Sequence, residues 1–222
     1  MNDDIYLEVT NLSKKIKNQL VLDNINLKLS RGKIYGFKGK NGSGKTMLFR
    51  TICGLVRPTQ GMVHIDKEKL GEDISFPNSV GVLIEYPSFL PGYTGLKNLK
   101  MIAEIKRVIN EQQIKDILVK VGLNPNDKRK YKKYSLGMKQ RLGIAQALME
   151  DPDLVILDEP TNALDSEGIV IVKDLLINLK KKNKTILIAS HENEHLELLC
   201  DEIFIIDNGK IIDHQFLKEK AQ

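Results

Sequence analysis

An apolar run, Ile34-Tyr35-Gly36-Phe37, leads through Lys38 into Gly39-Lys40-Asn41-Gly42-Ser43-Gly44-Lys45-Thr46. No other stretch of the chain limits its possible folds so sharply. Glycine admits backbone conformations closed to other residues, so successive N–H groups can turn inward around an anion. Lys45 then extends a point charge toward the β- and γ-phosphates of a polyphosphate, and Thr46 offers a hydroxyl to Mg²⁺. A helix expected from about Lys45 to Cys53 aims its positive end at the same anion. A glycine-rich turn can carry these letters by chance. A buried strand before it and helical periodicity after it favour a cradle for a nucleoside triphosphate.

The remaining pattern is that of an α/β protein. Strand-like segments fall at Tyr6–Val9, Asn24–Leu29, Lys33–Phe37, Met62–Ile65, Val80–Ile84, Leu154–Leu157, Thr185–Ala189, Ile203–Ile206 and Lys210–Asp213. Leu154–Leu157 and Thr185–Ala189 are apolar without alternation, as strands covered on both faces are. Leu20–Leu29 alternates, which suits a half-exposed antiparallel sheet. Asn208-Gly209 between two apolar runs predicts a two-residue hairpin. Helical periodicity marks Leu96–Val108, Glu111–Val121, Gly137–Glu150, Ile169–Leu179 and Glu194–Leu199. Three of these lie consecutively between Glu85 and Asp151, so that interval reads as a helical insertion.

A length of 222 residues suits one domain, or one domain carrying an inserted subdomain. Cys53 and Cys200 match no metal-ligand spacing and fall in apolar helical patterns, so both are expected as reduced core thiols. With no N-terminal apolar segment and no apolar run of membrane-spanning length, a cytosolic chain without signal peptide or membrane span is expected. The net charge is +5, partly gathered at Lys128-Arg129-Lys130 and Lys132-Lys133 around Tyr131 and Tyr134. Basic residues mixed with aromatics are one mark of nucleic-acid binding. A solvated run near a phosphate site or an anionic membrane face is the stronger reading.

The segment Leu154-Val155-Ile156-Leu157-Asp158-Glu159-Pro160 is an apolar strand closed by two acids. That position lets Asp158 join Thr46 in a Mg²⁺ shell, while Glu159 orients and deprotonates a water for attack on the γ-phosphate. Strands ending in solvated acids are common. The same ending downstream of a phosphate loop is not.

With both motifs present, the chain resembles, over essentially its whole length, the ATP-binding subunits of ABC transporters. Tyr134-Ser135-Leu136-Gly137-Met138-Lys139-Gln140-Arg141 is similar to the family's signature segment, Asn162-Ala163-Leu164-Asp165 to its D-loop, and His191 to its switch histidine. The resemblance implies ATP and Mg²⁺, bound by Gly39, Lys40, Asn41, Gly42, Ser43, Gly44, Lys45 and Thr46 with Asp158, and hydrolysis served by Glu159 and His191. It implies two copies paired head to tail, homodimer or heterodimer, with Ser135 and Gly137 serving the partner's nucleotide. It further implies a separate integral-membrane permease, which would hold the chain at the inner face of the cell membrane.

Three departures stand out. Leu136 and Met138 replace a glycine and a glutamine of the signature. Glu85 stands where the family usually has a glutamine close to the metal, and Ile16 where an aromatic usually covers adenine. An isoleucine covers a base by apolar contact alone. Ile84-Glu85-Tyr86-Pro87 with Phe89, Tyr93-Thr94-Gly95 and Asn98-Leu99, together with Ser-Leu-Gly-Met-Lys-Gln-Arg, resemble ATPases of bacitracin-resistance and lantibiotic-immunity exporters.

Two rival readings are weaker. His191-Glu192-Asn193-Glu194-His195 satisfies the zinc-protease pattern, but His191 directly follows a strand and cannot share a helix face with His195. A soluble ATPase of this superfamily acting on ribosomes or DNA would carry a long coiled coil or a second cassette. Here only about ninety residues separate phosphate loop and signature, without heptads. No nucleic-acid partner is expected. The expected fold is a P-loop NTPase (RecA-like) core, residues 1–85 and 152–222, with an antiparallel β subdomain and an inserted α-helical subdomain, residues 86–151.

Overall fold

The computed structural model describes residues 5–217, and its strands form two sheets. The antiparallel sheet has the order β2-β1-β4-β5, from β1 (Ile5–Ile16), β2 (Gln19–Ser30), β4 (Gln60–Ile65) and the short β5 (Glu68–Lys69). The second sheet has the order β10-β9-β3-β8-β7-β6, from β3 (Ile34–Lys38), β6 (Val80–Leu83), β7 (Leu154–Asp158), β8 (Thr185–Ser190), β9 (Glu202–Asp207) and β10 (Lys210–Phe216). All neighbours in it are parallel except the β9–β10 hairpin. That hairpin turns at Asn208 and Gly209 with φ of 47° and 77°, the paired positive values its sequence demands.

Continuous apolar strands arise because each face of the parallel sheet has its own core. Leu154 and Ile156 of β7 face one cluster with Tyr35, Phe37, Leu187 and Phe204. Val155 and Leu157 face the other with Ile34, Ile186, Ile188 and Ile203. The antiparallel sheet closes the first cluster through Leu12, Leu22, Ile25, Leu27 and Leu29. Helix α1 (Lys45–Ile52) lies in that shared core, burying Leu48, Phe49 and Ile52. Eight residues make a marginal helix alone, and those side chains, at about 1.5–3 kcal/mol each, hold it in place.

Between β6 and β7 the chain passes through α2 (Gly95–Lys106), α3 (Glu111–Lys120), a 3₁₀ turn at Tyr131–Lys133 and α4 (Leu136–Leu148). The helix expected over Leu96–Val108 stops earlier, because Arg107 takes a left-handed conformation at φ 57°. Helices α5 (Ser166–Lys181) and α6 (Asn193–Leu199) complete the second core. Cys53 and Cys200 are free and buried, and burial pushes the Cys53 thiol up to about 12.

The expected strands Tyr6–Val9 and Asn24–Leu29 lie near the start of β1 and the end of β2, each part of a longer strand. β1 and β2 run as a twelve-residue pair to Ile16↔Gln19 with several bulges. β5 was not expected from the sequence, since Glu68 and Lys69 become a strand only by pairing with Ile65 and His64.

Candidate active site

The loop after β3, the end of β7 and the turn after β8 all lie at the carboxyl edge of neighbouring parallel strands, where such sheets bind ligands. Together they line a cleft of about 610 Å³. On the phosphate-loop side, a Cβ on Gly39 would come within 2.3 Å of the Ile206 carbonyl oxygen, and Gly44 has φ 112°. Ser43 is buried with an unpartnered Oγ among the described residues. Lys45 is only 6% exposed, and its ammonium donates to the carbonyls of Gly39 (2.7 Å) and Lys40 (3.2 Å). Burial pushes the Lys45 pKa down, against the opposing fields of Glu159 and Asp158. A partnerless hydroxyl and a desolvated cation beside glycines that tolerate no side chain suit a phosphate group.

Thr46 Oγ1 donates to Asp158 Oδ2 at 2.7 Å. Burial raises the Asp158 pKa. The Thr46 hydrogen bond opposes the shift, and negative Glu159 reinforces it. A buried carboxylate penalised in this way favours a neighbouring cation, and a hydroxyl–carboxylate oxygen pair is a donor set that fits Mg²⁺.

Glu159, φ 51°, is held from β8. Its Oε2 accepts from Ser190 Oγ at 3.1 Å, and its Oε1 accepts from the His191 backbone N–H at 3.0 Å and lies 2.8 Å from His191 Nδ1. The two residues expected to serve hydrolysis are therefore in direct contact. The zinc-protease pattern fails on geometry: His191 precedes α6, while His195 Nδ1 faces Thr161 Oγ1 at 3.0 Å and Glu192 at 2.7 Å. Among the described residues, no group of three or more His, Cys, Asp or Glu is placed to hold a metal ion.

Other expected site residues stand differently. Glu85 lines the cleft, its carboxylate is paired with Arg50 Nη2 at 2.7 Å, and its negative charge is felt at Asp158. Ile16, 42% exposed at the tip of the β1–β2 hairpin, is not among the residues lining the cleft; Val21 of β2 is. Ser135 caps α4, accepting from the Met138 N–H at 3.2 Å, and neither it nor Gly137 lines the cleft of its own chain. Lys40, Asn41 and Gly42 are exposed, and Asn41 and Gly42 line the cleft with Ser43, Gly44, Lys45 and Thr46.

Arg50 and Gln140 are cleft residues the sequence did not single out for a role. For Arg50 the available signal was its position one turn past Thr46, on the helix face shared by i and i+4. The Asn208-Gly209 turn also reaches the site: the Gly209 N–H donates to the Ser43 carbonyl at 2.8 Å, and its carbonyl accepts from the Asp23 N–H at 2.9 Å. One residue, Gly209, thus ties the phosphate loop to β2.

Comparison with known proteins bears on the family and the fold. Residues 22–162 match the profile of the ABC transporter family. The chain is 48% identical to an uncharacterized ABC transporter ATP-binding protein, YybJ, of Bacillus subtilis (strain 168), over 92% of this chain and 94% of the relative. It is 40% identical to the bacitracin transport ATP-binding protein BcrA of Bacillus licheniformis, covering 93% and 68%. It is 39% identical to the lantibiotic transport ATP-binding protein SrtF of Streptococcus pyogenes, covering 93% and 89%. A solved ATP-binding subunit of an ABC transporter superposes with a TM-score of 0.87 at 27% identity, over 96% of this chain and 90% of that one.

Proposed function

This chain belongs to the ABC transporter family as an ATP-binding, ATP-hydrolysing protein, and from that premise we propose that it powers an exporter of peptide antibiotics through a separate membrane permease. The relatives that transport bacitracin and a lantibiotic support the cargo class, as does Glu85 within Ile84-Glu85-Tyr86-Pro87. Among the described residues no helix is long and apolar enough to cross a membrane. In this reading the permease supplies the passage and holds the ATPase at the inner membrane face.

The observation that carries the reading is the line of Thr46, Asp158, Glu159 and His191 along the carboxyl edge of the parallel sheet. Backbone N–H groups of Gly39–Thr46 and the Lys45 ammonium bind the phosphates of ATP. Thr46 and Asp158 would hold Mg²⁺, which supplies neutralisation of phosphate charge. Glu159 takes the proton of the attacking water, and its carboxylate is aimed by the Ser190 hydroxyl, by the His191 backbone N–H and by contact with the His191 ring. Ser135 and Gly137, at the N-terminal end of α4, complete the site of a second copy. That copy is either identical or a paired homologue.

The deciding variant is Glu159→Gln. It keeps the shape and loses the base, so ATP binding persists while hydrolysis slows about 10²–10⁴-fold. An ATP-bound dimer should then accumulate, read by size-exclusion chromatography. Turnover at the parent rate would defeat the reading.

A further inference from the structure

Helix α4 turns one face to its own chain's catalytic loop. Gly137, Gln140 and Arg141 stand at i, i+3 and i+4, the spacing of one helix face. A Cβ on Gly137 would come within 2.8 Å of the Ala163 carbonyl oxygen. Buried Gln140 donates from Nε2 to the Glu159 carbonyl oxygen at 3.0 Å. Arg141 Nη2 meets Asp165 Oδ1 at 3.0 Å, the same oxygen that caps α5 through the Gly168 N–H at 2.9 Å. These contacts span the turn from Glu159 to Asp165.

That turn needs such support. Glu159 and Ala163 hold φ of 51° and 61° without being glycine, and Glu159 also precedes Pro160, which further restricts it. Conformations of this kind persist only where surrounding contacts over-determine them. The Glu159 N–H donates to Ala189 at 2.8 Å, and its carbonyl accepts from Asn162 at 3.2 Å as well as from Gln140. Of these partners, Gln140 alone comes from the helical segment between β6 and β7.

We propose that Gln140 is a positioning residue for Glu159 within the same subunit, fixing the peptide from which the carboxylate is aimed. Helix α4 then serves hydrolysis twice: its N-terminal end toward a second copy, and its Gln140 face toward its own chain's base. The inference rests on the role proposed above for Glu159. Loss of the amide donor frees the Glu159 peptide without touching the phosphate loop, so turnover falls and nucleotide binding holds.

The test uses the full chain with Gln140→Met, similar in length without the donor, and Gln140→Glu, similar in shape. Gln140→Met should lower kcat at least tenfold with ATP affinity within twofold of the parent. A carboxyl at this position donates only when protonated. The ratio of Gln140→Glu turnover to parental turnover should therefore rise as pH falls, which a merely structural defect would not produce. In the Glu159→Gln background, Gln140→Met should leave the ATP-bound dimer undiminished. If circular dichroism shows Gln140→Met misfolded, Gln140→Glu decides alone. The inference is overturned by parental kcat in the folded variants, by an affinity loss that matches the kcat loss, or by loss of that dimer, which would place Gln140 at the subunit contact. Parent-rate turnover by Glu159→Gln alone sinks the function proposed for that residue and this inference with it. A slow Glu159→Gln beside a fast Gln140→Met sinks only the inference.

Discussion

Helices α1 and α4 both point their N-terminal ends at phosphate in the proposed function, yet they begin in opposite ways. At α1 the N-cap is Gly44, no side chain accepts from the first turn, and no acidic residue lies there. Helices α2, α3 and α5 are capped by Thr94, Asn110 and Asp165, and α4 by Ser135. An uncapped helix leaves its first N–H groups for an anion, and at α1 those groups sit beside a buried lysine and a partnerless hydroxyl. The α4 end is satisfied by its own serine and held out to solvent, with Leu136 70% exposed. In the proposed function, one half of the phosphate machinery is then finished within the chain, and the other would meet the nucleotide of a second copy.

The largest effect expected within this comparison is at α1. Lys45→Ala removes a charged donor worth about 1.5–3 kcal/mol, so ATP affinity should fall roughly 10- to 150-fold with the fold retained. Fluorescent-nucleotide titration beside circular dichroism reads both. Unchanged affinity would mean that the α1 end is not the phosphate site.

A smaller effect is expected at α4, and it must be read away from Gly137. A side chain there meets the Ala163 carbonyl, so Gly137→Asp mixes a clash within the chain with repulsion across subunits. Leu136→Glu avoids the clash. It should lower turnover about tenfold by placing like charge against the partner's nucleotide, while ATP binding to the monomer and the melting temperature stay at parental values. An equal loss of monomer affinity would put α4 in the cis site and erase the contrast.

The same contrast explains what the sequence made legible. Gly39–Thr46, Asp158 and the Asn208-Gly209 turn could be read because their function depends on local backbone conformation and on residues a few positions apart. The parallel strands could be read because two cores demand uninterrupted apolar side chains. Arg50–Glu85, Gln140–Glu159 and Gly209–Ser43 join residues 35, 19 and 166 positions apart, and no periodicity encodes them. The far end of β1 escaped for the same reason: Lys14, Lys15 and Ile16 become strand only through their partners. Val21, rather than Ile16, reaches the cleft because a bulged hairpin decides which residue faces it.

The smallest effect is expected at Glu85, at the junction between the finished and the outward-facing halves. It follows β6 at φ 62° and binds Arg50 on the helix that begins at the phosphate loop. Both side chains are well exposed, 58% for Glu85 and 36% for Arg50, and such a pair contributes only about 0.2–1 kcal/mol. Glu85→Gln keeps an acceptor for Arg50 and loses only the charge. The ATPase rate of the isolated chain should therefore change less than about threefold, a barrier shift of under roughly 0.7 kcal/mol. Adjacent Tyr86 is 88% exposed, a large aromatic surface available to a partner next to the charge that Arg50 holds. Export in cells carrying the permease should accordingly fall further than hydrolysis does. Measuring both in one variant separates the alternatives. A large, equal loss would make Glu85 part of the metal and water shell despite its pairing with Arg50. No loss in either would leave the pair a surface ion pair, and the junction between the two halves would then have to be carried by Gln140.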